Sequence, residues 1–178
     1  MGSKHTKKEI LEGALNAAMS DGLSQLTYGR LATHLGTSDR VIVYYFPTKD
    51  DLVTEVLLAT GLHLQEALQH AFGGRADSHV ELTRTAWPVL ARQEVDPVFA
   101  LYFEAVGLAV AGRQPYRSLV TQLIEAWVVW LSGFFDGPQE HCRSEAEAAI
   151  ALIDGLLLLR QVAGPDAADR AADRLLFL

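Results

Sequence analysis

An all-α protein is the fold class this sequence predicts, and three observations predict it. Ser or Thr is followed three residues later by an acid at Thr6 with Glu9, Thr48 with Asp51, Ser78 with Glu81 and Ser144 with Glu147, a pairing that satisfies free backbone N–H groups where a helix starts. Apolar residues recur at helical spacing, as in Tyr28, Leu31, Ala32 and Leu35. Strand-like alternation of apolar and polar residues is nearly absent.

The elements follow in order. A first helix over about 6–21 carries Leu11, Ala14, Leu15 and Ala18 on one face and ends at Gly22. The stripe from Tyr28 to Leu35 makes a short second helix, ended by Gly36 in the left-handed position past a helix end. Thr37 or Ser38 then caps a third helix by accepting a bond from a free N–H. In that helix Ile42 and Phe46, four apart, share the inward face, and Pro47 stops it. A fourth helix over about 48–72 carries Leu52, Val56, Leu57, Leu64, Leu68 and Ala71 and closes at Gly73-Gly74. Further helices are expected over about 78–94, 96–111, 116–135, 144–163 and 166–177, with Asp96-Pro97 and Asp166 marking two of the starts. Pro88 lies inside the first of these, where it removes a hydrogen bond and is expected to kink or break it.

With 178 residues, 49% hydrophobic and 21% charged, the chain fits one domain or a small domain joined to a larger one. No apolar run reaches about 18 residues, so no membrane span is expected. The polar, basic start MGSKHTKKEIL lacks the apolar segment of a signal peptide. A single cysteine, Cys142, excludes an intrachain disulfide and suits a reducing cytoplasm. The net charge of −7 is unevenly spread. Residues 1–50 hold six bases (Lys4, Lys7, Lys8, Arg30, Arg40, Lys49) against five acids, and 51–178 hold nine against seventeen. A near-neutral N-terminal segment can still bind phosphate locally while the acidic remainder faces away.

The glycine turn, Ser38, Ile42, Tyr44-Tyr45-Phe46-Pro47, Lys49 and Leu52 stand in an order that resembles the DNA-binding domain of the tetracycline-repressor (TetR) family of bacterial regulators. The resemblance covers roughly residues 6–60. It implies a helix-turn-helix at about 26–45 within a DNA-binding domain over 1–50, and a helical ligand-binding and dimerisation domain over 51–178. Two positions depart from the pattern: Val43 stands where the family usually has an aromatic, and Gly29 leaves bare a position that often carries a polar or basic contact.

Carried onto this chain, the resemblance gives Thr27, Tyr28, Tyr44, Tyr45 and Lys49 as phosphate contacts, which position a protein without reading sequence. Arg40 can pair with guanine O6 and N7, or clamp a phosphate. Asp39 can accept from cytosine N4 or simply favour the helix N-terminus. Ser38 and Val41 complete the DNA-binding set.

In the C-terminal part, Trp87, Phe99, Tyr102, Phe103, Trp127, Trp130 and Phe134 either pack a core or line the effector cavity that the resemblance implies. The effector would be a small apolar or aromatic molecule. The helix over 144–163 is apolar on more than one side, and the last helix carries a seam of small residues. The two look like the helices that pair with their copies in the family's four-helix dimer interface, with Ala149, Ile153, Leu156, Leu157, Arg160, Ala168, Ala172, Leu175 and Leu176 as the contact set.

Enzymatic chemistry is not expected, since nothing resembles a nucleophile elbow or a phosphate-binding glycine loop. His63 and His70 are two helical turns apart, about 10.5 Å, too far to share one ion, so no metal and no cofactor are expected. The partners implied are double-stranded operator DNA, the effector and a second copy of the chain. A repressor is the first reading. An activator of the same fold, or a helical ligand-binding or enzymatic protein whose N-terminal segment is only structural, are the alternatives.

Overall fold

The structure, a computed structural model, describes residues 5–177; Lys4, counted above among the bases, lies outside them. All regular elements among the described residues are helical: α1 (Lys7–Asp21), α2 (Tyr28–Leu35), α3 (Asp39–Tyr45), α4 (Lys49–Ala71), α5 (His79–Leu90), α6 (Asp96–Val110), α7 (Tyr116–Ser132), α8 (Gln139–Ala163) and α9 (Pro165–Leu176), with 3₁₀ turns at Leu23–Gln25 and Gln93–Val95. Two compact units result: Met1–Leu62 with Ala100–Val120, and His63–Phe99 with Thr121–Leu178. This compactness boundary differs from a division at residue 50, because the first half of α4 and most of α6 are counted with the N-terminal helices.

In the first unit α1 starts at a complete capping box: Thr6 accepts from the Glu9 amide while the Glu9 carboxylate accepts from the Thr6 amide. Those bonds hold the Glu9 carboxyl below its usual range. Ile10, Ala14 and Ala18 are buried along one face, while Leu11 is only partly covered. Gly36 takes the left-handed conformation (φ 62°, ψ 35°), and the Gly36 and Thr37 amides donate to the carbonyls of Thr33 and Ala32. This Schellman pairing turns α2 into α3 within three residues. Ser38 is the backbone N-cap of α3, but no side-chain bond caps the helix. Thr48 and Asp51 close a reciprocal box at the start of α4, with the Asp51 amide 3.1 Å from the Thr48 hydroxyl.

In the second unit α8 packs against α9 and α5, and α5 also against α9. Pro88 does not break α5: the helix continues to Leu90, two residues further, and the Ala91 amide closes on Trp87 O. The remainder of the expected helix is instead a separate 3₁₀ turn over Gln93–Val95. The start expected at Ser144 is also corrected. Pro138 is the N-cap and α8 begins at Gln139, because the turn at Gly137 (φ 125°) already frees the chain to coil. Ser144 therefore lies inside the helix, and Glu147 pairs with Arg143 at 2.9 Å. The Cys142 thiol, near that start, is buried and donates to Phe135 O. α7 ends at Ser132, three residues before the expected end, in a tight turn where the Gly133 and Phe134 amides bond to Trp130 O and Leu131 O.

One ion pair fastens the start of α6 within this unit. Asp96 accepts from Arg160 Nε at 2.6 Å and Nη2 at 3.0 Å, and the Gln161 amide nitrogen donates to Asp96 O. The bond to Asp96 raises the Arg160 pKa against the cost of burial.

Candidate nucleic-acid interface

Seven residues are too few to hold a helix by themselves, so α3 depends on what it is fastened to. Ile42 and Phe46 are fully buried on its inner side. At its end the Tyr28 hydroxyl donates to Phe46 O at 2.7 Å, and the Lys7 ammonium lies 5.4 Å from the Phe46 ring centroid while pairing with Glu55. The outer side carries Asp39, Arg40, Val43 and Tyr44, all exposed, with Tyr44 78% exposed. Tyr44 and Tyr45 meet edge to face at 4.9 Å. Val41 and Tyr45 are half-buried at the margins. Arg40 makes no ion pair among the described residues. A planar fork of donors thus stands beside two phenols on a rigidly backed helix, and Asp39 in the first turn suits the positive helix end.

The expected DNA-binding residues divide by what they already do. Ser38, Asp39, Arg40, Tyr44 and Lys49 are exposed and gather along α3 and the first residue of α4. Thr27 is exposed, but its hydroxyl caps α2 by accepting from the Arg30 amide. Tyr28, expected as a phosphate contact, donates its hydroxyl proton to Phe46 O within the chain. Burial raises the Tyr28 pKa, with Asp51 and Asp50 adding to it, so the phenol stays protonated as the clamp requires. Tyr28→Phe should therefore cost about 1 kcal/mol of stability, read by urea unfolding. No loss would mean the clamp contributes nothing.

The aromatic set does not behave as one group. Trp87 and Phe99 are buried in the second unit's core. Trp127, Trp130 and Phe134 form a chain of ring contacts at 5.2 and 5.0 Å, closed by Phe72, which lies 5.9 Å from Trp130 and 4.7 Å from Phe134. Tyr102 and Phe103 belong to the first unit and contact each other. Phe72, just past the end of α4, joins this cluster although nothing in its sequence context singles it out.

Most of the expected dimer set is already covered within the single chain. Ala149, Leu156, Leu157, Arg160, Ala168, Ala172 and Leu176 are buried within the single chain, where α8, α9 and α5 pack together; side chains already covered cannot supply a partner's contact area. Ile153 is half-buried and Leu175 is 53% exposed. The apolar face left open on α8 is the neighbouring stripe of Ala151, Gly155, Leu158 and Val162, with Val162 80% exposed.

No helix among the described residues is long and apolar enough to cross a membrane. No group of three or more candidate metal ligands gathers among those residues either, and the His70 ring nitrogen lies 2.7 Å from Glu66 O instead.

Residues 10–56, which contain α2, α3 and the start of α4, match the family model of bacterial regulatory proteins, tetR family. Comparison with curated proteins finds no match. Among solved structures, the fold is similar to that of a transcriptional regulator from Rhodococcus sp. Rha1 (TM-score 0.75, 16% identity, 97% of this chain and 95% of that one). A TetR transcriptional regulator from Legionella pneumophila is similar at a TM-score of 0.66 and 22% identity, covering 99% and 98% of the two chains. A Saccharomonospora viridis protein described as a transcriptional regulator, in complex with choline, is similar at 0.71 and 20%, covering 95% and 92%. Residues 10–56 and the helix-turn-helix they build thus match the DNA-binding domain of the tetR family of bacterial regulatory proteins.

Proposed function

We propose that the chain is a ligand-responsive repressor that acts in the cytoplasm as a homodimer on a palindromic operator, through binding and not through catalysis. DNA contact is assigned to residues 1–50, and ligand binding and dimerisation to 51–178. The observation that carries this reading is the outward face of α3, where Arg40, Val43 and Tyr44 are exposed on a helix backed by buried Ile42 and Phe46. Two such helices would enter successive major grooves about 34–36 Å apart.

The test is selection of duplexes from a random-sequence pool, followed by gel shift across salt concentrations. A palindromic consensus bound with a steep salt dependence supports the reading; a chain that selects no duplex overturns it. On that consensus Arg40→Ala should cost about 1–3 kcal/mol and relax preference at one position. Lys49→Ala should weaken all sequences alike and flatten the salt slope. Arg40→Ala binding with unchanged affinity and preference would remove the assignment of base readout.

The second copy is assigned to the open stripe of α8, Ala151, Gly155, Leu158 and Val162, together with Leu175 of α9. Gly155 favours this choice, because a Cβ added there would meet nothing within 4 Å, which leaves room for another helix to approach closely. The effector is assigned to the ring cluster of Phe72, Trp127, Trp130 and Phe134, whose faces suit an apolar or aromatic molecule. The choline held by the Saccharomonospora protein is one small organic ligand carried by this fold. Control requires that the effector bind one dimer geometry better than the other.

A further inference from the structure

We propose that Glu104 of α6 is the positioning residue that sets the helix-turn-helix for operator binding, an inference that rests on the regulator reading above. Its carboxylate accepts from the Leu23 amide at 2.7 Å, the Ser24 amide at 2.9 Å and the Ser24 hydroxyl. These amides open the 3₁₀ turn Leu23–Gln25 that follows α1, where the first N–H groups have no partner inside the turn. Gly22 completes the socket. Its φ of 88° suits glycine, and a Cβ there would stand 2.8 Å from a Glu104 oxygen.

The turn is tied onward to the reading helix. Gln25 and Asp21 both accept from the Arg30 guanidinium of α2, α2 packs on α3, and Tyr28 of α2 holds the end of α3 through Phe46 O. An unbroken series of direct contacts thus runs from an α6 carboxylate to the face that carries Arg40. Burial disfavours the Glu104 charge, but the bonds from Ser24 and Leu23 outweigh it, with Lys49 adding, so the carboxyl is held below its ordinary range and stays ionised. α6 itself begins at Asp96, where Arg160 and Gln161 of α8 hold it. A contiguous series of contacts becomes a coupling route only when perturbing one end shifts an equilibrium at the other, and that is what the test measures.

Glu104→Gln keeps the shape and removes the charge, and Ser24→Ala removes one of the three bonds. In the full chain Glu104→Gln should speed hydrogen exchange at the Leu23 and Ser24 amides about tenfold or more. It should weaken binding to the duplex selected by the wild type at least about fivefold, measured well below the melting temperature so that both proteins are fully folded. The Glu104→Gln and Ser24→Ala effects on affinity should be non-additive, and those of Glu104→Gln and Arg40→Ala additive. Unchanged exchange at Leu23 and Ser24, or operator affinity within about twofold of wild type in both single variants, overturns the proposal. A wild type that selects no duplex sinks the regulator reading, and exchange at the two amides then still decides whether the latch exists.

Discussion

Asp96→Ala should lower the stability of the chain by about 3–5 kcal/mol, the cost of leaving one member of a buried ion pair without its partner. The Arg160 side chain is only 6% exposed, against 30% for that of Asp96, so removing the aspartate leaves a guanidinium that water hardly reaches. The partial exposure of Asp96 places the loss toward the lower end. Thermal unfolding should shift down by roughly 6–20 °C for a chain of this size. The asymmetry supplies a check. Asp96→Ala combined with Arg160→Met removes both charges and should recover much of the loss, because an apolar pair of similar volume often replaces a buried ion pair without cost. A melting point for Asp96→Ala within about 2 °C of wild type would show that Arg160 finds other partners.

Leu158→Arg should separate folding from assembly. Leu158 is 49% exposed in the single chain, so a charge there should change folding stability by no more than about 0.5 kcal/mol. In the proposed dimer the same charge would be trapped in the seam between two α8 helices. Sedimentation should then report a monomer, and affinity for the selected palindrome should fall about a hundredfold or more, since joining two half-site readers multiplies affinity by about 10²–10⁴. A Leu158→Arg protein that sediments as a dimer and binds normally would exclude this face as the interface.

How much of this was legible in the sequence depends on range. The capping boxes at Thr6 and Thr48, the left-handed Gly36 and the stop at Pro47 are local events, and each was read within a residue or so of where it falls. The same local reading failed at Ser144, because a Ser with an acid three residues on also occurs inside a helix, where Glu147 serves Arg143 instead. Tertiary commitments left no trace. Tyr28 matches a family phosphate contact in order, yet its hydroxyl is spent on Phe46, eighteen residues away. Glu104 reads as one acid in an apolar helix, and nothing in the sequence links it to the Leu23 amide, eighty-one residues earlier. In α8 and α9, periodicity gives the apolar positions but not which of them the chain covers with its own α5.

The shortness of α3 has a consequence for how such a protein can change its target. Its helical form is imported from Ile42, Phe46 and the Tyr28 clamp, so the exposed positions 40, 43 and 44 contribute little to keeping it folded. New letters can be tried there at small thermodynamic risk while the frame that presents them stays constant. In the proposed regulator, recognition is a replaceable inscription on a fixed mount, and a retargeted variant should melt close to the parent while binding a different duplex.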